Sequence, residues 1–297
     1  MPQPGVFALG TRSHYYLDFD LLPGAAPEDL VGALASLDEP RRTTAGANVV
    51  VGLAPSLWRA VAPEDCPEGA VDFVPVDGPD GYRMPATQHS AWAWVAAAGY
   101  DAAFDVARAC AAAVRPWVVL AEETAGFAYR DSRDISGFVD GTENPPLDEA
   151  PEVATVPDGR AGAGASVALV QRWEHDLARL SSLALADQEA VIGRTKADSV
   201  ELDDDLKPPD SHVARMVIED EAGNELKVFR RSTSFGGVRA HGMVFVAFTN
   251  RPPTLEVMLA RMAGTADGVR DRLTYFSRPL TGAYYVVPSV PALRRFA

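Results

Sequence analysis

Cysteine is scarce in this sequence, and long apolar runs are missing from it. The 297 residues include two cysteines, Cys66 and Cys110, which have neither CxxC spacing nor further thiols with which to build a disulfide framework or a thiolate metal site. Free thiols are typical of a reducing compartment. No apolar run reaches the roughly 18 residues that a transmembrane helix needs, so we predict no membrane span.

Positive charge is also in short supply. The 27 lysine and arginine residues are outnumbered by 41 aspartate and glutamate residues, which gives a net charge of −14 and a sequence pI of about 4.8. Because such a chain repels nucleic acids and anionic membranes, we expect neither as a partner. The N-terminus lacks a basic segment followed by an apolar stretch, so we expect a cytoplasmic protein.

The hydrophobic pattern predicts an α+β protein made of two similar halves. Alternating apolar residues predict strands, and apolar residues repeated every three or four positions predict helices. We expect strands at 14–22, 48–55, 89–99, 116–129, the start of 166–180, 212–220, 225–232, 241–250 and 282–288. We expect helices at 27–37, 100–114, within 186–198, and at 254–264.

The boundary between the halves is predicted in an acidic loop at 148–164, which is rich in glycine, proline and alanine. We therefore predict two domains, 1–147 and 148–297. In each, strands pair with strands and helices pack to one side, which favours antiparallel sheets. The predicted strands at 212–220 and 225–232 would pair around the turn EAGN at 221–224.

The segment ISGFVDGTENPP, residues 135–146, combines turn-forming residues with apolar ones. Its glycines and prolines predict a bent backbone, whereas Phe138 and Val139 predict that the bend is partly buried. An unpaired carboxylate is costly in such a place. We therefore expect Asp140 to face a charged partner or a ligand.

His212 has the sequence context that best suits a ligand among the five histidines. It follows a charged, proline-rich loop and opens the predicted strand at 212–220, which would hold its ring rigidly in a cavity. Along the sequence, Arg194 precedes His212 by as many residues as Arg230 follows it. Structural or surface roles explain the other four more simply: His14, His89, His175 and His241.

Three segments at matching spacings resemble the motifs of dye-decolourising peroxidases, in the shorter bacterial branch of that family: GFVDGTENP (137–145), SHVAR (211–215) and FRRSTSFG (229–236). The segments 192–202 and 281–289 fit as well, and the resemblance spans nearly the whole chain. It implies two ferredoxin-like domains, with haem b in the C-terminal one. It also implies that His212 is the proximal ligand of the iron.

The resemblance implies further roles on the proximal side and at the haem edge. The second ring nitrogen of His212 should donate to a carboxylate or a carbonyl, which makes the imidazole more basic. Asp271 is our candidate for that partner, and Asp267 is the rival. Arg194 would bind a haem propionate, although an exposed arginine at a helix end is an equally simple interpretation of the residue alone.

On the distal side, the resemblance assigns catalysis to Asp140 as acid–base group and to Arg230 as a fixed cation. Ser232 is either a third distal group or an anchor for water, at a position where some family members have Asn. Gly141 and Thr142 follow Asp140 and would bring the backbone close to the porphyrin.

The implied reaction is the conversion of ferric haem and hydrogen peroxide to water and a ferryl porphyrin radical, which two one-electron donors then reduce. The donors would be phenols, dyes or other small aromatic molecules. Bulky donors would require electron transfer through surface aromatic residues, although core packing is the simpler explanation of each available one: Tyr129, Trp173, Tyr275 and Tyr284.

Three glutamates near the motifs could form a hard-cation site for Mn(II): Glu143, Glu201 and Glu225. A solvated acidic rim is the simpler interpretation. For the pH dependence, we expect Arg230 to lower the pKa of Asp140 below its usual value near 3.9, so that dye oxidation peaks on the acidic side.

Other functions fit the same sequence. The pocket of a haem deferrochelatase, which removes iron and leaves the porphyrin whole, would look alike. A haem-storage or haem-sensing protein would need only the ligand histidine and the propionate arginine. A dimeric small-molecule binder would need no haem at all. We expect a homo-oligomer, and the short sequence after the last predicted strand leaves little room for the tail with which some relatives enter a protein shell.

Overall fold

The structure is a computed structural model that describes residues 1–37, 46–220, 222–223 and 225–297. The described strands are β1 Ser13–Leu21, β2 Asn48–Leu53, β3 Val76–Asp77, β4 Arg83–Met84, β5 Ala91–Ala97, β6 Val118–Phe127, β7 Ser166–His175, β8 Phe229–Arg230, β9 Thr233–Gly236, β10 His241–Thr249, β11 Ser277–Pro279 and β12 Ala283–Val287. The described helices are α1 Pro27–Ala35, α2 Pro55–Val61, α3 Tyr100–Val114, α4 Ala150–Ala154, α5 Leu177–Ser181, α6 Leu185–Ile192, α7 His212–Met216, α8 Pro252–Ala263 and α9 Val290–Arg294.

Two groups of antiparallel strands form the framework, which confirms a mixed helix and sheet protein with antiparallel pairing. In the N-terminal half the spatial order is β2-β5-β1-β6, and in the C-terminal half it is β12-β7-β10, with β9 and β8 pairing with β10. In each half the first strand thus lies between two later ones: β1 between β5 and β6, and β7 between β10 and β12.

The two groups of strands join at both edges into a closed ring. At one junction Val286 pairs with Leu53, and at the other β6 pairs with β9 over two residues. Glycine lies beside each junction because the chains approach closely there. A Cβ on Gly52 would lie 2.8 Å from Cβ of Tyr285, and one on Gly126 would lie 2.6 Å from Oγ1 of Thr233.

Alternation along the strands produces two separate layers of packing. Side chains on the inner face of the ring form one buried cluster, rich in aromatic residues such as Trp92 and Trp94. Side chains on the outer face form a second cluster together with the helices. Helix α3 approaches β1 and β5 closely because the buried residues on its face are small or medium-sized: Ala103, Ala107, Cys110 and Val114.

The predictions of strands around residues 14–22, 48–55, 89–99, 116–129, 241–250 and 282–288 are confirmed, as are those of the helices at 27–37, 100–114 and 254–264. The strand at 166–180 ends at His175, and the helix expected within 186–198 is α6. The predicted loop at 148–164 contains the short helix α4. No helix in the described part of the chain is both long and apolar enough to cross a membrane.

The prediction of a strand at 212–220 is wrong. His212 is the first residue of α7, because the side chain of Ser211 accepts a hydrogen bond from the backbone of Ala214 and caps the helix. Pairing between the two predicted strands is reduced to a bridge between Glu219 and Glu225. Two residues of the expected EAGN turn, the first and the last, lie outside the described residues.

Candidate active site

A cavity of about 370 Å³ lies against the sheet of the C-terminal half and is also lined by residues between 134 and 143, and its volume is within the usual range of small-molecule and cofactor sites. One wall is the outer face of β7 and β10, and another is formed by α7 and α8. Trp173 and Phe245 are among the residues that line the sheet wall, and Met258 is among those that line the helix wall. The lining contains six of the eight residues that we predicted for the site: Asp140, Gly141, Thr142, Arg194, His212 and Arg230.

Asp140 lies on a loop whose own hydrogen bonds fix its shape. The backbone N–H of Asp140 donates to Ser132 O at 2.9 Å, and the guanidinium of Arg133 donates to Gly137 O at 2.7 Å and to Lys196 O at 2.8 Å. Gly141 has a φ of +79°, a conformation that favours glycine directly after the carboxylate. The loop therefore holds Asp140 at the cavity with little freedom.

Asn144 connects this loop to the strand that carries Arg230. Its side-chain N–H donates to Arg230 O at 2.8 Å, and its side-chain oxygen accepts from the backbone N–H of Arg230 at 2.7 Å. Asn144 belongs to the motif at 137–145, but no role was predicted for it. The signal was weak, because its partner lies 86 residues away in the sequence.

Burial dominates the electrostatics of Asp140. Loss of solvent raises the pKa of Asp140, the Arg230 guanidinium lowers it, and the Asp134 carboxylate raises it again. The net direction is upward, so the expectation that Arg230 would bring the pKa of Asp140 below its usual value is wrong. The cation is evident from the sequence, whereas the loss of solvent around Asp140 depends on the folded structure.

His212 reaches the cavity from α7, and a buried carboxylate holds its ring. Nδ1 of His212 donates to Oδ2 of Asp271 at 2.7 Å, and Asp271 is fully buried. The other carboxylate oxygen accepts from Leu273 N at 2.8 Å. This leaves Nε2 as the ring nitrogen that can bind a metal, with the carboxylate behind it to orient the ring.

Asp267, the rival partner, has another role. It forms a two-point ion pair with Arg215, at 2.7 and 2.8 Å, and Arg215 also donates to Arg261 O at 2.8 Å. The guanidinium of Arg261 donates back to Ala214 O at 3.0 Å. These contacts fasten α7 to α8 and so support the position of the histidine.

Arg194 lies at the rim of the cavity between two carboxylates. It forms ion pairs with Glu143 and, at 3.1 Å, with Glu201, which also binds Lys207 at 2.6 Å. Glu225 lines the cavity too. Within the described residues, no group of three His, Cys, Asp or Glu side chains could hold a metal ion, so the three glutamates do not form a ready-made cation site.

Buried polar atoms without partners occur among the site residues. In the part of the chain that the structure describes, Nε of Arg230 and Nε of Arg194 are buried without a hydrogen-bond partner, and so is Oγ of Ser232. Ser232 does not line the cavity. The two arginine nitrogens suit an anionic cofactor and an oxygen ligand, so the residues present fit a haem whose iron binds His212.

A second histidine and carboxylate line the same cavity and were not expected to belong to it. Nε2 of His175 lies 3.2 Å from Oδ1 of Asp134, and Nδ1 of His175 lies 2.8 Å from Oγ of Ser277. Although burial raises the pKa of Asp134, the hydrogen bonds from His175 and Ser136 outweigh it, and the pKa is lowered. Asp134 therefore remains anionic beside Asp140.

The aromatic residues considered for electron transfer differ in location. Trp173 lines the cavity, and Tyr284 is buried against Phe73 with 5.0 Å between ring centroids. Tyr275 is 42% exposed and stacks on Arg270, 4.1 Å from the ring centroid. Tyr129 lies under Arg130.

Comparison with known proteins agrees with this geometry. Residues 131–292 match the family profile described as Dyp-type peroxidase, C-terminal. The chain belongs to the Dyp-type peroxidase family. The matched segment carries all the predicted site residues, so the resemblance first read from the motifs is confirmed.

Individual relatives in the Dyp-type peroxidase family cover most of the chain. The dye-decolorizing peroxidase of Mycobacterium tuberculosis is 36% identical, over 85% of this chain and 76% of its own, and that of Rhodococcus erythropolis is 33% identical, over 99% and 88%. A Rhodococcus jostii DypB variant in complex with haem superimposes with a TM-score of 0.93 at 33% identity, over 100% and 99% of the two chains. A DypB variant in complex with manganese superimposes with a TM-score of 0.88 at 34% identity, over 95% and 94%.

Proposed function

We propose that this Dyp-type peroxidase binds haem b and uses hydrogen peroxide to oxidise dyes, phenols or similar one-electron donors. The observation that carries the proposal is one cavity lined by a carboxylate, a guanidinium and a histidine backed by a buried aspartate: Asp140, Arg230, His212 and Asp271. The haem-bound DypB relative supports the cofactor.

His212 would hold the iron through Nε2, while Asp271 fixes the ring. Arg194 would bind a haem propionate. This contact would replace its present ion pairs with Glu143 and Glu201. Gly141 and Thr142, which line the cavity, would contact the porphyrin. When bound, haem supplies the iron at which peroxide is reduced and the macrocycle that holds the oxidising equivalents.

Asp140 and Arg230 divide the work on peroxide. The carboxylate of Asp140 accepts the proton from one peroxide oxygen and delivers it to the other, which departs as water. The Arg230 guanidinium stabilises negative charge on the O–O unit and needs no proton transfer of its own. Asn144 keeps the backbone of Arg230 in register with the loop that carries Asp140. Ser232 remains a prediction as a water anchor.

The paired acid–base group and cation favour a peroxidase over the alternatives. A haem-storage protein needs the histidine and the propionate arginine, and a buried carboxylate whose pKa is raised would only add a cost. A deferrochelatase would use the same pocket and is distinguished by its product. Manganese oxidation at Glu143, Glu201 and Glu225 stays a prediction, supported by the manganese complex of the DypB variant.

The fold supports the finer architecture that we predicted. The strand order of each half is the one expected of a β-α-β-β-α-β unit, so we propose two ferredoxin-like domains at 1–147 and 148–297, with haem in the second. The cytoplasmic location and the homo-oligomeric state stay predictions.

An absorption spectrum of haem-loaded protein, before and after one equivalent of peroxide, tests the proposal. We expect a Soret band that shifts on peroxide addition and returns when a phenol is added. The Asp140→Ala variant should bind haem with an unchanged resting spectrum and react far more slowly, whereas Asp148→Ala, at an exposed position, should behave as wild type. Release of free protoporphyrin without donor oxidation would overturn the proposal in favour of a deferrochelatase.

A further inference from the structure

Inside the ring of strands, four oxidisable side chains form a continuous stack. Trp94 and Trp92 have ring centroids 6.3 Å apart, Tyr16 lies 6.2 and 6.4 Å from them, and Tyr285 lies 5.7 Å from Trp92 with its plane tilted by 8°. Each of the four is at most 2% exposed. Aromatic rings in such contact allow an electron hole to move from one ring to the next.

This stack lies directly behind the wall of the active-site cavity. Along β10, Phe245 lines the cavity while Phe248, on the opposite face, lies 6.2 Å from Trp94. Along the strand of the distal arginine, Arg230 lines the cavity while Arg231 points inward and lies 5.2 Å over the Trp94 ring. One layer of backbone therefore separates the stack from the site where peroxide reacts.

Charges at the two ends give the stack a direction. The Arg231 cation disfavours positive charge on Trp94. At the other end, the hydroxyl of Tyr285 donates to Oδ1 of Asp18 at 2.7 Å, and burial raises the pKa of Asp18 to about 6 against the opposing effects of that hydrogen bond and of His89. Glu122 and Arg172 are the other charged groups that act on Asp18.

Proton acceptors are poor along the rest of the stack. Nε1 of Trp92 is buried without a partner among the described residues. Nε1 of Trp94 donates to Nδ1 of His14 at 3.0 Å, but burial lowers the pKa of His14 to about 4 and makes it a weak base. The hydroxyl of Tyr16 bonds that of Thr233 at 2.8 Å. Burying charged groups at both ends of the stack and an unpaired indole N–H between them costs free energy. Apolar packing alone therefore does not explain why these groups are present.

We propose that Tyr285 is a redox-active tyrosine that stores one oxidising equivalent of the peroxidase when no external electron donor is available. Tyr285 gives one electron, through Trp92 and Trp94, to the one-electron oxidant formed when the cofactor reacts with peroxide, and gives its phenolic proton to Asp18. The oxidant is reduced by one electron, Tyr285 becomes a neutral phenoxyl radical, and Asp18 becomes a neutral acid. An external donor later returns the electron, and Asp18 returns the proton.

The inference rests on the proposed peroxidase function, and freeze-quench electron paramagnetic resonance of the haem-loaded protein tests it. After one equivalent of peroxide without donor, we expect a tyrosyl signal that is abolished in Tyr285→Phe. It should persist in Tyr284→Phe, the matched control on the opposite face of β12. The Asp18→Asn variant, which removes the proton acceptor, should lower the signal strongly and change its hyperfine shape.

Two outcomes would overturn the inference. One is a protein radical of equal intensity in Tyr285→Phe, and the other is no protein radical in wild type although the Soret band responds to peroxide. Should the Soret band itself fail to respond, the proposed function fails and the inference fails with it. The optical and magnetic readouts on the same samples therefore separate the two failures. Phe keeps the ring in place, and thermal unfolding of each variant checks that the fold is retained.

Discussion

The two halves of the molecule share a strand order and differ in what covers their sheets. In the N-terminal half, the segment 22–47 connects the first two strands, and α3 lies close on β1 and β5 through Ala103, Ala107 and Cys110. In the C-terminal half, the corresponding segment 176–228 is about twice as long and contains the short helices α5, α6 and α7. Helix α3 therefore packs directly on the first sheet, whereas a cavity lies against the second.

This difference shows how one architecture supports either a packed core or a site. Small side chains let a helix approach a sheet and leave no space for a ligand. Short capped helices separated by loops instead bring single polar residues, such as His212, to the face of the sheet. Contacts outside the cavity, including Arg215 with Asp267, then hold those pieces in place.

The largest effect should come from removing the ligand that only the C-terminal half has. We expect His212→Ala to lower haem affinity by at least about 100-fold, since loss of even an outer partner of a metal-bound histidine costs roughly 10–100-fold. Haemin titration followed at the Soret band measures this. His241→Ala, at a half-buried histidine bonded to Gly237 O, is the control and should bind haem normally. Unchanged affinity in His212→Ala would contradict the assignment of the ligand.

The next effect concerns the distal cation. We expect Arg230→Leu to slow the reaction with peroxide by about 10²–10³-fold, as removal of a charge-stabilising donor does in other enzymes. Because the guanidinium lowers the pKa of Asp140 against the effect of burial, its loss should raise that pKa further. Asp140 acts as a base only when ionised, so the acidic limb of the rate profile should move to higher pH.

Stopped-flow measurement of the rate constant across pH, at the Soret band, checks both parts. Arg230→Lys keeps the charge and should leave the acidic limb near its wild-type position while the rate falls less. An acidic limb that stays in place in Arg230→Leu would show that the guanidinium does not act on Asp140. In Asp140→Ala the limb should disappear altogether.

The sequence predicted the strongly patterned parts of both halves and failed where distant contacts decide. Alternation was clear in β1 and β5, and the motifs were specific enough to bring Asp140, Arg230 and His212 to one cavity. The helix at 212–216 depends on a serine cap and on contacts with α8, which local pattern does not reveal. The link between Asn144 and Arg230 and the burial of Asp140 likewise depend on segments far apart in the chain.

An enlarged side chain in each half tests whether the two halves are packed equally tightly. Ala103→Leu adds bulk between α3 and its sheet, and we expect it to lower the free energy of unfolding by about 1–3 kcal/mol. Val213→Phe adds bulk beside His212, where the cavity can accept it, so the apoprotein should lose less stability while haem affinity falls. Urea unfolding of the apoproteins and haemin titration measure the two effects. Equal destabilisation by both would mean that the C-terminal half is as tightly packed as the N-terminal one.

The smallest effect tests the dry interior between the halves, where burial lowers the pKa of His14 to about 4. In the unfolded chain this group titrates near 6.5, so the unfolded state takes up more protons between these values. The neutral ring thus contributes stability that is complete above pH 6.5 and is lost as pH falls toward 4. Between pH 7 and pH 5, wild type should lose up to about 2 kcal/mol more than His14→Gln, which does not titrate. Parallel stability curves for the two proteins, from urea unfolding at each pH, would show that water reaches His14 and that the interior is less dry than the packing of its aromatic rings implies.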